Sequence, residues 1–471
     1  MSKRKDKTPQ IIEGVRILDY AAEAKCIVKI NEEVIFIQGQ VAPGDICDLK
    51  ILRNKKKFKQ AQAFNIQKVS TDRTEPICQH FGICGGCKWQ HVTYEAQLSF
   101  KNKQVKDNLE RIAKVKLPTF EPILGSIETY NYRNKLEFTF SQARWLTEEE
   151  IGKEDVGSMN ALGFHVPGRF DKIIDIENCH LQKDPSNSIR NGIRNFAEKE
   201  GISFYELKNQ KEGSLRNIIL RNTSIGEWMI VVQFAFASEE EIQKVMNYLK
   251  NQFPQITSLN YVINQKGNDT FHDLEVVNFI GRAFIYEKME DLTFQIGPKS
   301  FFQTNSDQAL KLYQLVRNDA QLTGEEVVYD LYSGTGTIGL FLSKYAKKVV
   351  GLEYVEMAVE DAKINAKLNG VENSIFFAGD MKKLLTDDFF GKHGKPDVII
   401  TDPPRAGMDE DVVRQILKVR PNRIVYVSCN PATQARDLAW LDESYEVVKV
   451  HPVDMFPQTH HVENIVTLKL K

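Results

Sequence analysis

Cys429 stands in the run Arg423-Ile-Val-Tyr-Val-Ser-Cys-Asn-Pro431, where apolar, β-branched residues give way to Asn430 and Pro431. The run has the pattern of a buried strand, and Asn followed by Pro is a helix cap and first helical position. A thiol at that junction faces orphan amides and the positive end of a helix, which favours thiolate and lowers the thiol pKa. This makes Cys429 a candidate nucleophile. Two other stretches share the plan. Val398 to Gly407 (VIITDPPRAG) ends a strand at Asp402-Pro403-Pro404, with Arg405 next, and Asp330 to Gly339 (DLYSGTGTIG) follows the strand Val327 to Tyr329. Glu353 ends the apolar run after that, and Asp380 follows a third.

Strand and helix alternate from Val327 onward, which predicts an open α/β sheet with functional groups along its C-terminal strand edges. Gly334-Thr-Gly336-Thr-Ile-Gly339 fits a dinucleotide fingerprint, with Glu353 placed for a ribose. S-adenosylmethionine would use the same crevice differently, with the glycines against its methionine part, Glu353 on the ribose hydroxyls and Asp380 at adenine. A dehydrogenase has no need of Asp402-Pro-Pro and a cysteine at neighbouring strand ends, whereas methylation of a base does. The methyltransferase reading is therefore preferred.

The chain has 471 residues, 42% apolar and 27% charged, which suits a globular protein of two to four domains. Met1 to Gln10 is charged and is followed by no apolar core, so no signal peptide is expected. The longest apolar stretch, Trp228 to Ala237, is too short to span a bilayer, so no membrane association and a cytoplasmic location are expected. The net charge of -1 is uneven, with 14 Lys/Arg against 8 Asp/Glu over residues 1–70, and the run Lys50 to Lys59 holds six positive charges and no acid. Such a run is either a solvated loop or a phosphate-tracking patch. Gly14 to Val69 has the spacing of four or five short strands, an OB-like barrel that commonly handles nucleic acid.

Cys78-x5-Cys84-Gly-Gly-Cys87 packs three thiols into ten residues, with glycines that let the backbone curl around a metal centre. Cys179 is the best candidate for a fourth ligand, and zinc held with His180 or Cys179 remains an alternative. Periodicity predicts one long helix from Trp89 to about Val115 and another from about Ser306 to Ala320, with a strand-rich stretch from 123 to about 295 between them. Within that stretch Asn131-Tyr-Arg-Asn-Lys135 offers aromatic faces and basic tips suited to unstacked RNA bases.

Taken together these residues resemble the RNA uracil-5-methyltransferase family, over nearly the whole length. The N-terminal barrel resembles the TRAM domain, and Cys78, Cys84, Cys87 and Cys179 are similar to that family's four-iron cluster ligands. Asp402-Pro-Pro-Arg405, Ser428-Cys429-Asn-Pro431 and His460-His461-Val-Glu463-Asn464 resemble its catalytic motifs. The resemblance implies a Rossmann-like catalytic domain at 91–122 and 296–471, a central cluster-bearing domain at 71–90 and 123–295, and the barrel at 1–70. It implies cofactor contacts at Gln303, Tyr332, Gly334, Gly336, Glu353, Asp380 and Asp402, a nucleophile at Cys429, a general base at Glu463, and charge stabilisation by Arg405. The cofactors implied are S-adenosylmethionine and a [4Fe-4S] cluster. The barrel and cluster point to the branch acting on 23S ribosomal RNA rather than tRNA, usually as a monomer. One departure is Ser333, where many relatives carry a cysteine.

Overall fold

The computed structural model describes residues 10–55 and 58–471. Met1 to Pro9, on which the signal-peptide expectation rested, and Lys56-Lys57 of the basic run lie outside the described residues. The chain divides into two units.

One unit runs up to Lys101 and includes Phe456–His460. It carries a six-stranded sheet in the order Ile11–Arg16, Ile46–Lys55, Phe58–Lys68, Glu33–Gln38, Cys26–Ile30, Asp19–Tyr20. Alternating residues point inward, so Cys26, Val28, Ile35, Ile37, Cys47 and Leu49 share one small core. Asp45 is fully buried there and is held by both Nε and Nη2 of Arg73 and by the amides of Ala42 and Ser70. The long helix begins at Tyr94 rather than Trp89, since Trp89 to Thr93 form turns.

The other unit comprises Asn102–Met455 and His461–Lys471. Its first sheet has seven strands, in the order Val277–Gly281, Ile256–Ile263, Trp228–Phe234, Leu215–Asn222, Lys135–Ser141, Ala161–Val166, Arg169–Asp175. Its second runs Ser374–Ala378, Lys348–Glu353, Val327–Leu331, Val398–Thr401, Arg423–Ser428, Glu463–Leu470, Tyr445–Val453. The first five of these strands are parallel and near-continuously apolar, as strands covered on both faces must be. The last two are antiparallel. Because sequence order reverses between Val327–Leu331 and Val398–Thr401, a crevice opens at the C-terminal ends of these strands. This is the expected Rossmann-like sheet.

Helix Ser306–Ala320 has the predicted bounds and is capped by Asn305, whose side chain accepts from the Gln308 amide. The helix that reaches Asn108 continues as a wide turn, Leu109–Ala113, and stops at Lys114 in the left-handed region. Val105, Leu109 and Ala113 pack into the same core as Tyr426, Ala435 and Leu438 beneath the catalytic sheet.

Candidate active site

Strand Arg423–Ser428 delivers Cys429 to the sheet edge, and helix Pro431–Leu441 starts two residues later with Asn430 as its cap. The Asn430 side chain accepts from the Ala432 amide at 3.2 Å, and Ser428 Oγ accepts from the Asn430 amide at 3.1 Å, so the turn carrying the thiol is fixed from both sides. The neighbouring strand runs antiparallel with Ser428 opposite Asn464. Cys429 and Glu463 are the residues next to that pair, and the Glu463 charge acts on the thiol, so two residues 34 apart in sequence are brought near each other.

Asp402 ends the strand on the other side of Arg423–Ser428, and its loop is stitched onto the Cys429 turn. The Arg405 carbonyl accepts from Asn430 Nδ2 at 3.0 Å and from Thr433 Oγ1 at 3.1 Å. Further along, Asp437 Oδ2 accepts from the Met408 amide at 2.8 Å and from the Tyr426 hydroxyl at 2.6 Å. Arg436 Nη2 donates to the carbonyls of Ala406 and Met408. Gln434, also buried, donates to the carbonyls of Tyr426 and Asn464 and accepts from Asn464 Nδ2, which pins the start of the Glu463 strand.

The electrostatics reverse one sequence expectation. Burial, then the charges of Glu463 and Asp402, push the Cys429 thiol up to about 11, with Arg405 pulling the other way. Burial of the sulfur, with two carboxylates beside it, therefore outweighs the helix end that was expected to lower its pKa. Burial also raises Asp402 to about 7. Burial and the nearby Asp402 raise Glu463 to about 8, against the opposing effect of Arg405. Three titratable groups thus stand together, with the Arg405 cation acting on Cys429 and Glu463. Such a set is matched to taking up positive charge.

The glycine loop lies one strand away. Glu353 Oε2 accepts from the Gly334 amide at 3.0 Å and Oε1 from the Val355 amide at 2.9 Å, so the acid is oriented before any ligand arrives. A Cβ on Gly334 would meet nothing within 4 Å, whereas one on Gly336 would press on Ala362 and the Phe376 ring at 2.9 and 3.0 Å. Gly334 leaves its backbone open to close approach, while Gly336 lets the loop pack on the helix behind it. Tyr332 has φ 63, a strained value for a bulky residue at the lip of the crevice. Asp380 caps the helix Met381–Leu384 at the end of the third strand. Gln303 is half-buried in the segment before helix Ser306–Ala320, which Thr335 ties to the glycine loop by a 3.4 Å bond to the Phe301 carbonyl. Glycines, an oriented acid and a second acid at the next strand end suit S-adenosylmethionine.

Sequence reasoning missed Asp330, Gln434 and Asp437. Asp330 is buried and pushed up to about 8 by burial, and its Oδ2 accepts from the Gly339 amide at 2.8 Å, closing the glycine loop. Gln434 and Asp437 fall on the same helix face as Ala435 and Leu438, and polar residues at core positions were the available signal.

In the barrel-bearing unit, the Cys78 thiol is raised by burial and opposed by the amides of His80 and Phe81, and the Gly86 amide donates to Cys84 Sγ at 3.4 Å. Amide donors aimed at sulfur suit thiolate ligands. Cys179 is buried in the other unit, its amide and carbonyl both bonded to the Asn187 side chain. Among the described residues, however, no three His, Cys, Asp or Glu side chains stand together as a metal-holding group. No described helix is long and apolar enough to cross a membrane.

Residues 222–471 match the profile of the family described as tRNA (Uracil-5-)-methyltransferase. The chain is 55% identical to an uncharacterised RNA methyltransferase of Bacteroides thetaiotaomicron, over 96% of this chain and 100% of that protein. It is 52% identical to another from Porphyromonas gingivalis, over 96% of this chain and 99% of the relative. Among solved structures it is similar to the Pyrococcus abyssi tRNA (uracil-54, C5)-methyltransferase in complex with S-adenosyl-L-homocysteine, with a TM-score of 0.75 and 28% identity, covering 97% of this chain and 100% of that one. The chain accordingly belongs to the uracil-5-methyltransferase family and is an RNA methyltransferase that uses S-adenosylmethionine.

Proposed function

We propose that this enzyme methylates C5 of a uridine in 23S ribosomal RNA, with Cys429 as nucleophile and Glu463 as general base. The observation that carries the chemistry is the strand register that pairs Ser428 with Asn464 and so brings Glu463 near enough for its charge to act on Cys429, with the Asp402 loop bonded to the same turn. The C5 carbon of uracil is too weakly nucleophilic to take a methyl group unaided. Cys429 loses its proton to solvent and its thiolate adds to C6, which places electron density on C5 and on the uracil carbonyls. S-adenosylmethionine supplies an electrophilic methyl carried on a sulfonium cation. Once C5 is methylated, Glu463 in its ionised form takes the C5 proton and Cys429 leaves from C6, restoring the ring. Arg405 offsets charge on the uracil, and Asp402 with its prolines forms a rigid edge to the pocket. Gln303, Tyr332, Gly334, Gly336, Glu353, Asp380 and Asp402 make up the proposed cofactor side. The target base must be flipped out or already unstacked to reach the sulfur.

The ribosomal substrate rests on the family resemblance of the barrel and the cysteine set, as does a [4Fe-4S] cluster on Cys78, Cys84, Cys87 and Cys179. The amide donors around Cys78 and Cys84 support the cluster. It is tested by anaerobic purification and metal analysis, where about four irons per chain are expected, falling sharply in Cys84→Ser; iron-free protein that stays active would remove it. A tRNA substrate is the second reading. The Pyrococcus enzyme aligns over 97% of this chain, so an N-terminal region like this one also occurs in a tRNA enzyme. Monomeric action is carried over from the family resemblance, and a cytoplasmic location suits either RNA. Methyl transfer from labelled S-adenosylmethionine to unmodified 23S RNA and to tRNA, with Cys429→Ala as control, separates the two. Label in tRNA alone would replace the ribosomal reading. Glu463→Gln should accumulate a covalent RNA adduct on denaturing gels, and normal turnover without one would remove the base role.

A further inference from the structure

Away from the cysteine cleft, a cavity of about 290 Å³ lies within the larger unit between the first seven-stranded sheet and the N-terminus of helix Ser306–Ala320. Tyr132 and Trp228 are among its lining residues, both more than nine-tenths buried. Asn134 also lines it, 6% exposed. Its Nδ2 donates to the Gln303 carbonyl and to Ser306 Oγ, both at 2.8 Å, yet its Oδ1 is buried with no partner. A buried acceptor without a donor costs energy, and here it belongs to a residue that lines the cavity, so a small shift of the Asn134 side chain would offer it to a bound donor. The rim carries the exposed Glu128, Asp184 and Asp307 with one cation, Lys183.

These features narrow the ligand. Three carboxylates against one ammonium disfavour a phosphate. A metal ion does not fit either, since no three such side chains converge among the described residues. Aromatic walls with acceptor-rich polar groups suit a flat heterocycle that presents N–H donors, and the volume is at the small end of ligand sites, enough for a single base. Uracil offers one ring N–H between two carbonyls, whereas guanine, adenine and cytosine each present an amino group. The cavity includes Asn131, Tyr132 and Asn134 of the segment singled out in sequence for unstacked bases.

We propose that this cavity receives a second, amino-bearing base of the substrate RNA, with guanine fitting best because its amino and ring N–H groups suit the acids and its carbonyl suits Lys183. The assignment rests on the RNA reading of the active site and extends it to substrate selection. Asn134 joins the two sites, because its amide holds the segment that carries Gln303, so a base read here bears on the residue proposed to face the cofactor.

The test uses the full chain labelled with 5-fluorotryptophan, in which Trp228→Phe identifies the Trp228 resonance among four tryptophans. Guanosine monophosphate should shift that resonance with an affinity on the order of 1 mM, and uridine monophosphate should not. The variant Asp184→Asn/Asp307→Asn, changed only at exposed positions, should cut the preference for guanosine over uridine monophosphate about tenfold. In methyl transfer the same variant should raise KM for RNA about tenfold, with kcat and KM for S-adenosylmethionine unchanged. An unmoved Trp228 resonance at about 10 mM nucleotide, an equal response to both nucleotides, or an unchanged KM for RNA would each overturn the proposal. Guanosine binding without methylation of any RNA would support the cavity while unseating the active-site reading.

Discussion

At the scale of single residues, the unloaded site holds its nucleophile as a thiol. With Cys429 raised to about 11, alkylation of this residue should be slow near neutrality and rise with pH towards that value. A sulfonium cation, or the substitution Glu463→Gln, should move the profile to lower pH, because each makes the field at the sulfur more positive. A profile measured with iodoacetamide that stays put in both cases would show that the carboxylates do not govern the thiol. Glu463 also predicts a stability signature. Its pKa is about 8 in the folded chain against 4.5 ordinarily, so the fold favours the protonated acid. That contribution is intact below about 4.5 and is lost as pH rises through about 8. Glu463→Gln, fixed in a neutral form, should gain on the natural chain between pH 5 and pH 9, by an amount on the order of 2 kcal/mol in thermal melts. A gap that does not change with pH would place the carboxylate in water.

At the scale of elements, the site depends on one strand ladder and two loops. Gly336 has φ 76 and its missing Cβ faces Ala362 and Phe376, so Gly336→Ala should cost about 1–3 kcal/mol and weaken S-adenosylmethionine binding together. Calorimetry showing unchanged stability and affinity would contradict the packing account. Asp437→Asn should lower kcat more than it raises KM for the cofactor, since Asp437 holds the Asp402 loop and not the glycine loop. Single-turnover rates with both substrates saturating would read this directly. These elements were also the most legible in the sequence. The strand ends at Leu331, Glu353, Thr401 and Ser428 are all visible as apolar runs stopped by polar or turn residues, because parallel strands buried on both faces leave a continuous signal. What sequence left hidden is the pairing. No local pattern says that Glu463 returns beside Cys429, or that Asp437 reaches back to Met408, and the thiol's pKa followed from its burial first and from that unseen neighbour second. Knowing only the helix end, the expected shift had the wrong sign.

At the scale of the whole molecule, the two units have separate cores, one built around Val28, Ile35 and Leu49, the other including Leu331, Tyr426 and Val466. Urea unfolding should therefore depart from two-state behaviour, with Trp89 reporting the first unit and Trp440 the second. Coincident fluorine signals from the two tryptophans would show them to be one cooperative block. The order of strands in the catalytic sheet has a further consequence. The strand Glu463–Leu470 lies between Arg423–Ser428 and Tyr445–Val453, both of which precede it in the chain. During synthesis the slot it fills must stay open until that strand has left the ribosome, with the edge beside Cys429 unpaired. The nucleophile is made before the base, and the two meet only when the sheet closes. A nascent chain thus carries an inert cysteine past the very RNA on which the finished enzyme is proposed to act.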